Sequence, residues 1–200
     1  MTKKEKKRFQ KGMKQQTDLY VPISGVHGDF LMKQSAFMQM GKLLERVDKA
    51  KDSPEGGMAH EAGHMILLRK YFPENPYTYG CDEESGLWCV IDKNSYDAPD
   101  GQLVPKIANV AVAGMIGMLK YFGFTLDETK IVMNWMCGVT DIGHEVGGDM
   151  FKFEKAMELI EVVAGKKPNV NVVFETVYNL LDVDEIKREI ELQTEMKKTA

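Results

Sequence analysis

The spacing of apolar and polar positions predicts a chain built mainly from helices. From residue 30 to about residue 51, apolar side chains recur every three or four positions, which is the pattern of one buried helix face. A second helix is predicted over 54–71, because Asp52 or Ser53 can cap its first turn and Pro73 stands just beyond its end. This part of the chain therefore indicates two helices in succession.

The same periodicity returns in the second half of the chain. The small side chains after Pro105 permit close packing between helices, and Thr125 with Glu128 forms a capping box that opens the next helix. Gly165 is the residue type that commonly ends a helix. Helices are expected over 106–122, 125–137 and 149–164, with one or two more amphipathic helices over 169–198.

The stretch 73–105 differs from both helical parts because it is rich in proline, glycine, asparagine and aspartate. Within it, the sequence GLWCVID at 86–92 holds β-forming residues between turn residues, which predicts a strand in a small sheet or hairpin. Residues 17–29 are typical of a loop. The expected fold class is mainly α with a small β element (α+β), in a single domain over 17–200 that follows a flexible basic tail, 1–16.

Charge is distributed unevenly along the chain. Residues 1–14 carry seven basic side chains and one glutamate, although the whole chain has a net charge of −4. Such a block is typical of a solvated tail, with a weak anionic contact as the alternative. An acidic body makes nucleic acid an unexpected partner, and the composition does not predict the oligomeric state.

The apolar segments and the cysteines indicate the cellular compartment in which the protein is expected. No apolar segment follows the basic start, so no secretory signal is predicted. The longest apolar run, 107–119, is shorter than the ~20 residues that a spanning helix needs. Three cysteines without metal-binding spacing indicate reduced thiols. We therefore expect a cytoplasmic protein without a membrane span.

The sequence MAHEAGHM at 58–65 carries the most specific chemical signal. His60 and His64 are four residues apart, so on a helix they share one face and can hold one Zn²⁺. Glu61 lies beside that face, where it can act as a general base on water rather than as a ligand. With four histidines in 200 residues, a chance match to H-E-x-x-H is expected only about 0.007 times. The alternative is a helix that merely carries two histidines.

A catalytic zinc site needs a third protein ligand. Leu67 and Lys70 stand where a metzincin would have glycine and histidine, which excludes that class. Glu83 and Glu84 lie in a loop-like stretch, so a thermolysin-like glutamate is not evident. The remaining candidates follow a glycine-rich segment and are Asp141, His144, Glu145 and Asp149.

The order of these segments resembles the peptidase domain of FtsH-type zinc metallopeptidases. HEAGH, a short strand, VAVAGMIGMLKYFG and GGDMFKFEKAMELI follow one another across 54–165. In that family HEAGH supplies two zinc ligands and the general base, and an aspartate that opens a later helix is the third ligand. The resemblance implies a zincin-like helical domain with ligands His60, His64 and Asp149 and with Glu61 as the catalytic base.

The chain also departs from the family pattern. It has no G-x-x-x-x-G-K-[ST] phosphate-binding loop, and we expect no membrane anchor. The loop before Asp149 is longer and contains His144 and Glu145, which remain alternative ligands. The expected function is ATP-independent hydrolysis of peptide bonds in peptides or in unfolded or flexible proteins. The rival function is that of a non-catalytic, zinc-stabilised interaction or inhibitor protein.

A strand close to the zinc could also hold the substrate. Metallopeptidases bind peptides in an extended form, and a free strand edge can pair with them by β-addition. Trp88 is alternatively an ordinary core residue. The residues proposed for substrate binding are Gly86, Leu87, Trp88 and Cys89.

Overall fold

The computed structural model describes residues 20–23, 30–73, 77–82, 86–91, 103–138 and 148–199. These residues form seven helices and two antiparallel two-stranded sheets, which confirms the prediction of a mainly α fold with a small β element. The strands are β1 (Tyr20–Ile23), β2 (Phe30–Lys33), β3 (Tyr77–Asp82) and β4 (Gly86–Ile91). The helices are α1 (Gln34–Lys51), α2 (Pro54–Tyr71), α3 (Leu103–Tyr121), α4 (Leu126–Gly138), α5 (Asp149–Ala164), α6 (Val170–Leu180) and α7 (Val183–Thr199).

The β1–β2 ribbon corrects two predictions. Residues 20–23 belong to a strand rather than to a loop, and residues 30–33 pair with them before α1 begins. Tyr20, Val21 and Ile23 are good strand formers, and Pro22 is tolerated because this ribbon has only edge strands. Helical periodicity over 30–33 was misleading because antiparallel pairing with residues 20–23 decides the backbone there.

Helix α2 has the boundaries that its sequence predicts. Of the two possible caps, Ser53 is the one used, and its Oγ accepts a hydrogen bond from the backbone N–H of Gly56 at 3.0 Å. Pro54 occupies the first helical position, where a missing N–H costs nothing. The helix ends at Tyr71, two residues before Pro73. This capping fixes the start of the helix that carries the histidines.

The hairpin predicted between 73 and 105 is formed by β3 and β4, which pair in antiparallel register from Tyr77 opposite Ile91 to Asp82 opposite Gly86. Strand β4 spans Gly86–Ile91, one residue shorter than predicted, and it contacts α2. The strand with the proposed substrate-binding residues therefore lies beside the histidine helix.

Helix α3 is the centre of the core and contacts α2, α5, α6 and α7. It begins at Leu103, three residues earlier than predicted, because Pro105 fits in a first helical turn. Its length and mean hydropathy of 1.4 would also suit a membrane span. However, 67% of its apolar stretch is buried within the protein, as in a core helix. Its most deeply buried side chains are Ala108, Val112, Ala113, Ile116 and Leu119.

The remaining helices follow their predicted signals. The backbone N–H of Thr125 donates to Glu128 Oε2 at 2.9 Å, and that of Glu128 donates to Thr125 Oγ1 at 3.3 Å, so the capping box is formed. Gly165 ends α5 in the left-handed conformation with a φ of 68°. The C-terminal segment forms two helices, α6 and α7. Helix α5 begins at Asp149, as predicted, and packs against α3.

Candidate metal centre

Two helices that are distant in sequence bring three potential ligands together. Helix α2 places His60 and His64 on one face, and Asp149 is the first residue of α5. Asp149 Oδ2 lies 3.0 Å from His60 Nε2 and 3.1 Å from His64 Nε2, and the two Nε2 atoms are 3.1 Å apart. The three atoms form a nearly equilateral triangle, and this group can hold a metal ion.

The position of Asp149 in α5 leaves its side chain available. Gly148 is the N-cap residue of this helix, and no side chain caps it. Asp149 therefore does not act as the N-cap, which was the ordinary structural role available to it. Instead, its Oδ2 atom points at the two histidines, while Lys152 Nζ lies 3.7 Å from Oδ1.

The orientation of His64 is fixed by a second contact. Its Nδ1 atom lies 2.8 Å from the carbonyl oxygen of Val110 in α3. Because a carbonyl can only accept, Nδ1 carries the proton, and in the neutral ring Nε2 keeps its lone pair. A histidine that ligates a metal through Nε2 is commonly held in this way by an outer hydrogen bond.

The electrostatics of the triangle favour a cation. Burial lowers the pKa of His64, but the hydrogen bond and charge of Asp149 outweigh it, and together with the charge of Glu61 they raise the pKa overall. Burial raises the pKa of Asp149, but hydrogen bonds from His60 and His64 and their charges hold that pKa well below its usual range. A carboxylate that stays ionised beside two ring nitrogens is suited to bind positive charge.

Glycines allow the site to form between closely packed helices. A Cβ at Gly63 of α2 would lie 2.1 Å from the carbonyl oxygen of Ala113, so only glycine permits this approach of α3. A Cβ at Gly114 would lie 2.4 Å from His64 Nε2 and 2.5 Å from His60 Nε2. The sequence predicted close packing from the small residues of α3, and the structure confirms it. Sequence reasoning missed that Gly114 faces the ligands.

Glu61 follows His60 directly on α2 and is half-buried. Its charge acts on His64, which places it in the electrostatic surroundings of the triangle without making it one of the three grouped ligands. Its carboxylate therefore adds negative charge near the triangle.

A cavity of about 270 Å³ adjoins the triangle. His60 and Asp149 form part of its wall, so a molecule in the cavity would touch the candidate metal centre directly. In the described part of the chain, the other lining residues come from α1 through α5 and are Lys51, Gly56, Gly57, Ala111, Met115, Met118, Met136 and Met150.

Several predicted residues are not placed. Asp141, His144 and Glu145, the alternative third ligands, lie outside the described residues, as does the basic tail. The backbone of Gly86, Leu87, Trp88 and Cys89 is described as part of β4, but their side chains are not. His60, His64 and Asp149 are the predicted ligands that the structure brings together.

Comparisons with known proteins identify no relative of this chain. The chain matches no protein-family model, and no curated protein or solved structure is found to be similar to it.

Proposed function

We propose that this protein is a zinc-dependent metallopeptidase that resembles the FtsH-type peptidase domain and has His60, His64 and Asp149 as its ligands. The observation that carries the proposal is the triangle of two Nε2 atoms and one carboxylate oxygen with edges of 3.0–3.1 Å. Ligands at ~2.0–2.1 Å from a tetrahedral zinc are separated by about 3.3 Å. The three side chains therefore need only small movements to bind the ion.

The donor set also fits a catalytic site better than a structural one. Structural zinc sites are usually closed by four cysteine or histidine ligands, whereas catalytic sites have three protein ligands and one open position. The described cluster contains three ligands, and a cavity adjoins two of them. When bound, zinc supplies Lewis-acid polarisation of the substrate carbonyl and lowers the pKa of water.

Glu61 has the role of general base and then general acid. Its carboxylate takes a proton from the attacking water and returns it to the nitrogen of the leaving amine. Its position beside His60, outside the ligand triangle, leaves its carboxylate unligated for this transfer. Asp149 stays ionised and offsets the charge of the cation, and the Val110 carbonyl holds His64 in the ligating tautomer.

Strand β4 is the proposed guide for the substrate backbone. It contacts α2, and within the described part of the chain it pairs only with β3, so its second edge has no strand partner there. An extended peptide added to that edge would run beside the histidine helix. The proposed substrates are peptides and unfolded or flexible segments of proteins, cleaved by this chain without ATP.

The zinc content of the protein is the first test. Protein purified without a metal-binding tag is expected to contain one zinc per chain by elemental analysis, and His60→Ala is expected to lose it. A content near zero that added zinc does not raise would overturn the proposal.

The second test separates the base from the ligands. Glu61→Gln is expected to retain zinc while cleavage of an unfolded protein falls by ~10² or more, because the amide cannot accept the proton. Glu55→Gln is the matched control, since Glu55 is an exposed carboxylate in the first turn of the same helix. Full zinc occupancy without cleavage by the wild type would instead favour the rival function of a zinc-stabilised interaction protein.

A further inference from the structure

The cavity beside His60 and Asp149 differs chemically from the metal centre that it adjoins. Four of its lining residues are methionines from α3, α4 and α5, and apart from the ligands His60 and Asp149 the one charged side chain among its described lining residues is Lys51 at the end of α1. The four methionines are Met115, Met118, Met136 and Met150. A methionine-lined wall binds apolar groups and adapts to their shape, because the side chain is unbranched and polarizable.

The size of the cavity indicates what fits. An engineered apolar cavity of about 150 Å³ in another protein is large enough to bind benzene. At about 270 Å³, this cavity can take a whole leucine, methionine or phenylalanine side chain. Because His60 and Asp149 are part of its wall, the backbone bearing that side chain would lie at the metal centre.

We propose that this methionine-lined cavity is the specificity pocket of the protein and binds a large apolar side chain of the substrate residue next to the scissile bond. The proposal rests on the proposed peptidase function and adds to it the class of substrate. Lysine and arginine at that substrate position would be bound poorly, because Lys51 repels a second positive charge and the one carboxylate in the described lining, Asp149, is a proposed zinc ligand.

Gly57 provides a way to fill the pocket without disturbing the fold. It lies on α2 and lines the cavity, and a Cβ built on it meets nothing within 4 Å. Gly57→Leu therefore adds a side chain next to open space. Gly41 is the matched control because it is also an exposed helical glycine with nothing within 4 Å, but it lies on α1 and does not line the cavity.

The first experiment maps cleavage sites in a peptide library by mass spectrometry. The wild type and Gly41→Leu are expected to prefer leucine, methionine or phenylalanine at one fixed position next to the scissile bond, by ~10-fold or more over alanine. Gly57→Leu is expected to abolish this preference and to favour small residues there. Cleavage without an apolar preference, or an unchanged preference in Gly57→Leu, would overturn the pocket while leaving the peptidase function intact.

The second experiment does not depend on turnover. The zinc-loaded Glu61→Gln variant is titrated with two hydroxamates, leucine hydroxamate and glycine hydroxamate, which offer the same metal-chelating group. The leucine compound is expected to bind ~10-fold tighter or more, because its isobutyl group is removed from water. Adding Gly57→Leu should remove the difference, whereas adding Gly41→Leu should preserve it. Equal binding of the two compounds would overturn the pocket even in a protein that cleaves nothing.

Discussion

His60 Nε2 lies 3.0 Å from Asp149 Oδ2, although the two residues are 89 positions apart in the sequence. The contact exists only because α5 packs against α3, which in turn packs against the histidine helix α2. The candidate metal centre is therefore a product of the tertiary fold, in contrast to the local spacing of His60 and His64. A metal bound there would join the start of α5 to α2.

The first prediction concerns the third ligand. Asp149→Ala is expected to weaken zinc binding by at least ~100-fold, because the two histidines alone leave the ion under-coordinated. His144→Ala is expected to have a much smaller effect. Both affinities can be measured by competition with a chromophoric chelator. Glu158→Ala, which removes an exposed carboxylate from the same helix, controls for the lost charge.

The contrary outcome is equally informative. If His144→Ala abolished zinc binding while Asp149→Ala left it intact, the site would have three histidine ligands. The resemblance to FtsH-type peptidases would then be limited to the HEAGH motif.

The second prediction concerns Gly114. An alanine there would place its Cβ 2.4–2.5 Å from both ligand nitrogens, so the rings must move or α3 must shift. Gly114→Ala is expected to reduce zinc affinity by ~10-fold or more even though alanine favours helices. Gly41→Ala is the control, since it meets nothing within 4 Å and should raise stability by about 0.5–1 kcal/mol. Unchanged zinc affinity in Gly114→Ala would mean that α3 does not pack this closely.

The sequence could predict those parts of the site that depend on local spacing. His60 and His64 are separated by one helical turn, so any helix brings them together. Ser53, Thr125 with Glu128, and Gly165 likewise act within one turn, and their helix boundaries agree with the structure.

Non-local contacts could not be predicted in the same way. Nothing in the spacing of Asp149 reveals that its oxygen meets two histidines on another helix, which is why Asp141, His144 and Glu145 stayed open as alternatives. The pairing of residues 20–23 with 30–33 was missed for a different reason: the two strands are close in sequence, but hydrogen bonds between them, rather than periodicity, decide their backbone conformation. The contact of Gly114 with the ligand nitrogens depends on the register between α2 and α3, and periodicity does not specify register.

The third prediction concerns the pH dependence of stability. The hydrogen bond from the Thr125 N–H, helped by Arg46 against partial burial, lowers the pKa of Glu128 below its usual value. A carboxyl group whose pKa is lowered in the folded state stabilises the protein at pH values above its unfolded-state pKa of about 4.3. This stabilisation is lost as the pH falls below that value. Glu128→Gln keeps the size and an acceptor for the capping box but not the charge. It should therefore cost about 0.5–1 kcal/mol near neutral pH, through the lost charge interactions with the helix N-terminus and with Arg46.

Urea unfolding at a series of pH values tests this prediction. The difference in unfolding free energy between the wild type and Glu128→Gln is expected to shrink as the pH falls from 6 to about 3. Glu161→Gln, an exposed glutamate on α5, serves as the control. A difference that stayed constant or grew at low pH would show that the carboxylate of Glu128 is not the stabilising group.

The last prediction concerns the ion pair that joins the histidine helix to α7. Glu189 is only 2% exposed, and Arg69 of α2 reaches it with both terminal nitrogens, one of them 2.9 Å from Oε1. Arg69→Met removes the guanidinium and leaves a buried carboxylate without it. We expect a loss of about 2–3 kcal/mol in the free energy of unfolding, less than for a fully buried pair because Arg69 itself is 41% exposed.

A double substitution distinguishes a buried charge from lost packing. Arg69→Met combined with Glu189→Met should be more stable than Arg69→Met alone, because the second change removes the unpaired charge from the interior. Lys187→Met, which breaks an exposed pair with Asp184, should cost less than about 1 kcal/mol. If Arg69→Met lowered the free energy of unfolding no more than Lys187→Met does, water would have to reach the Glu189 carboxylate. Helix α7 would then not cover the outer side of α2 as tightly as the hydrogen bonds indicate.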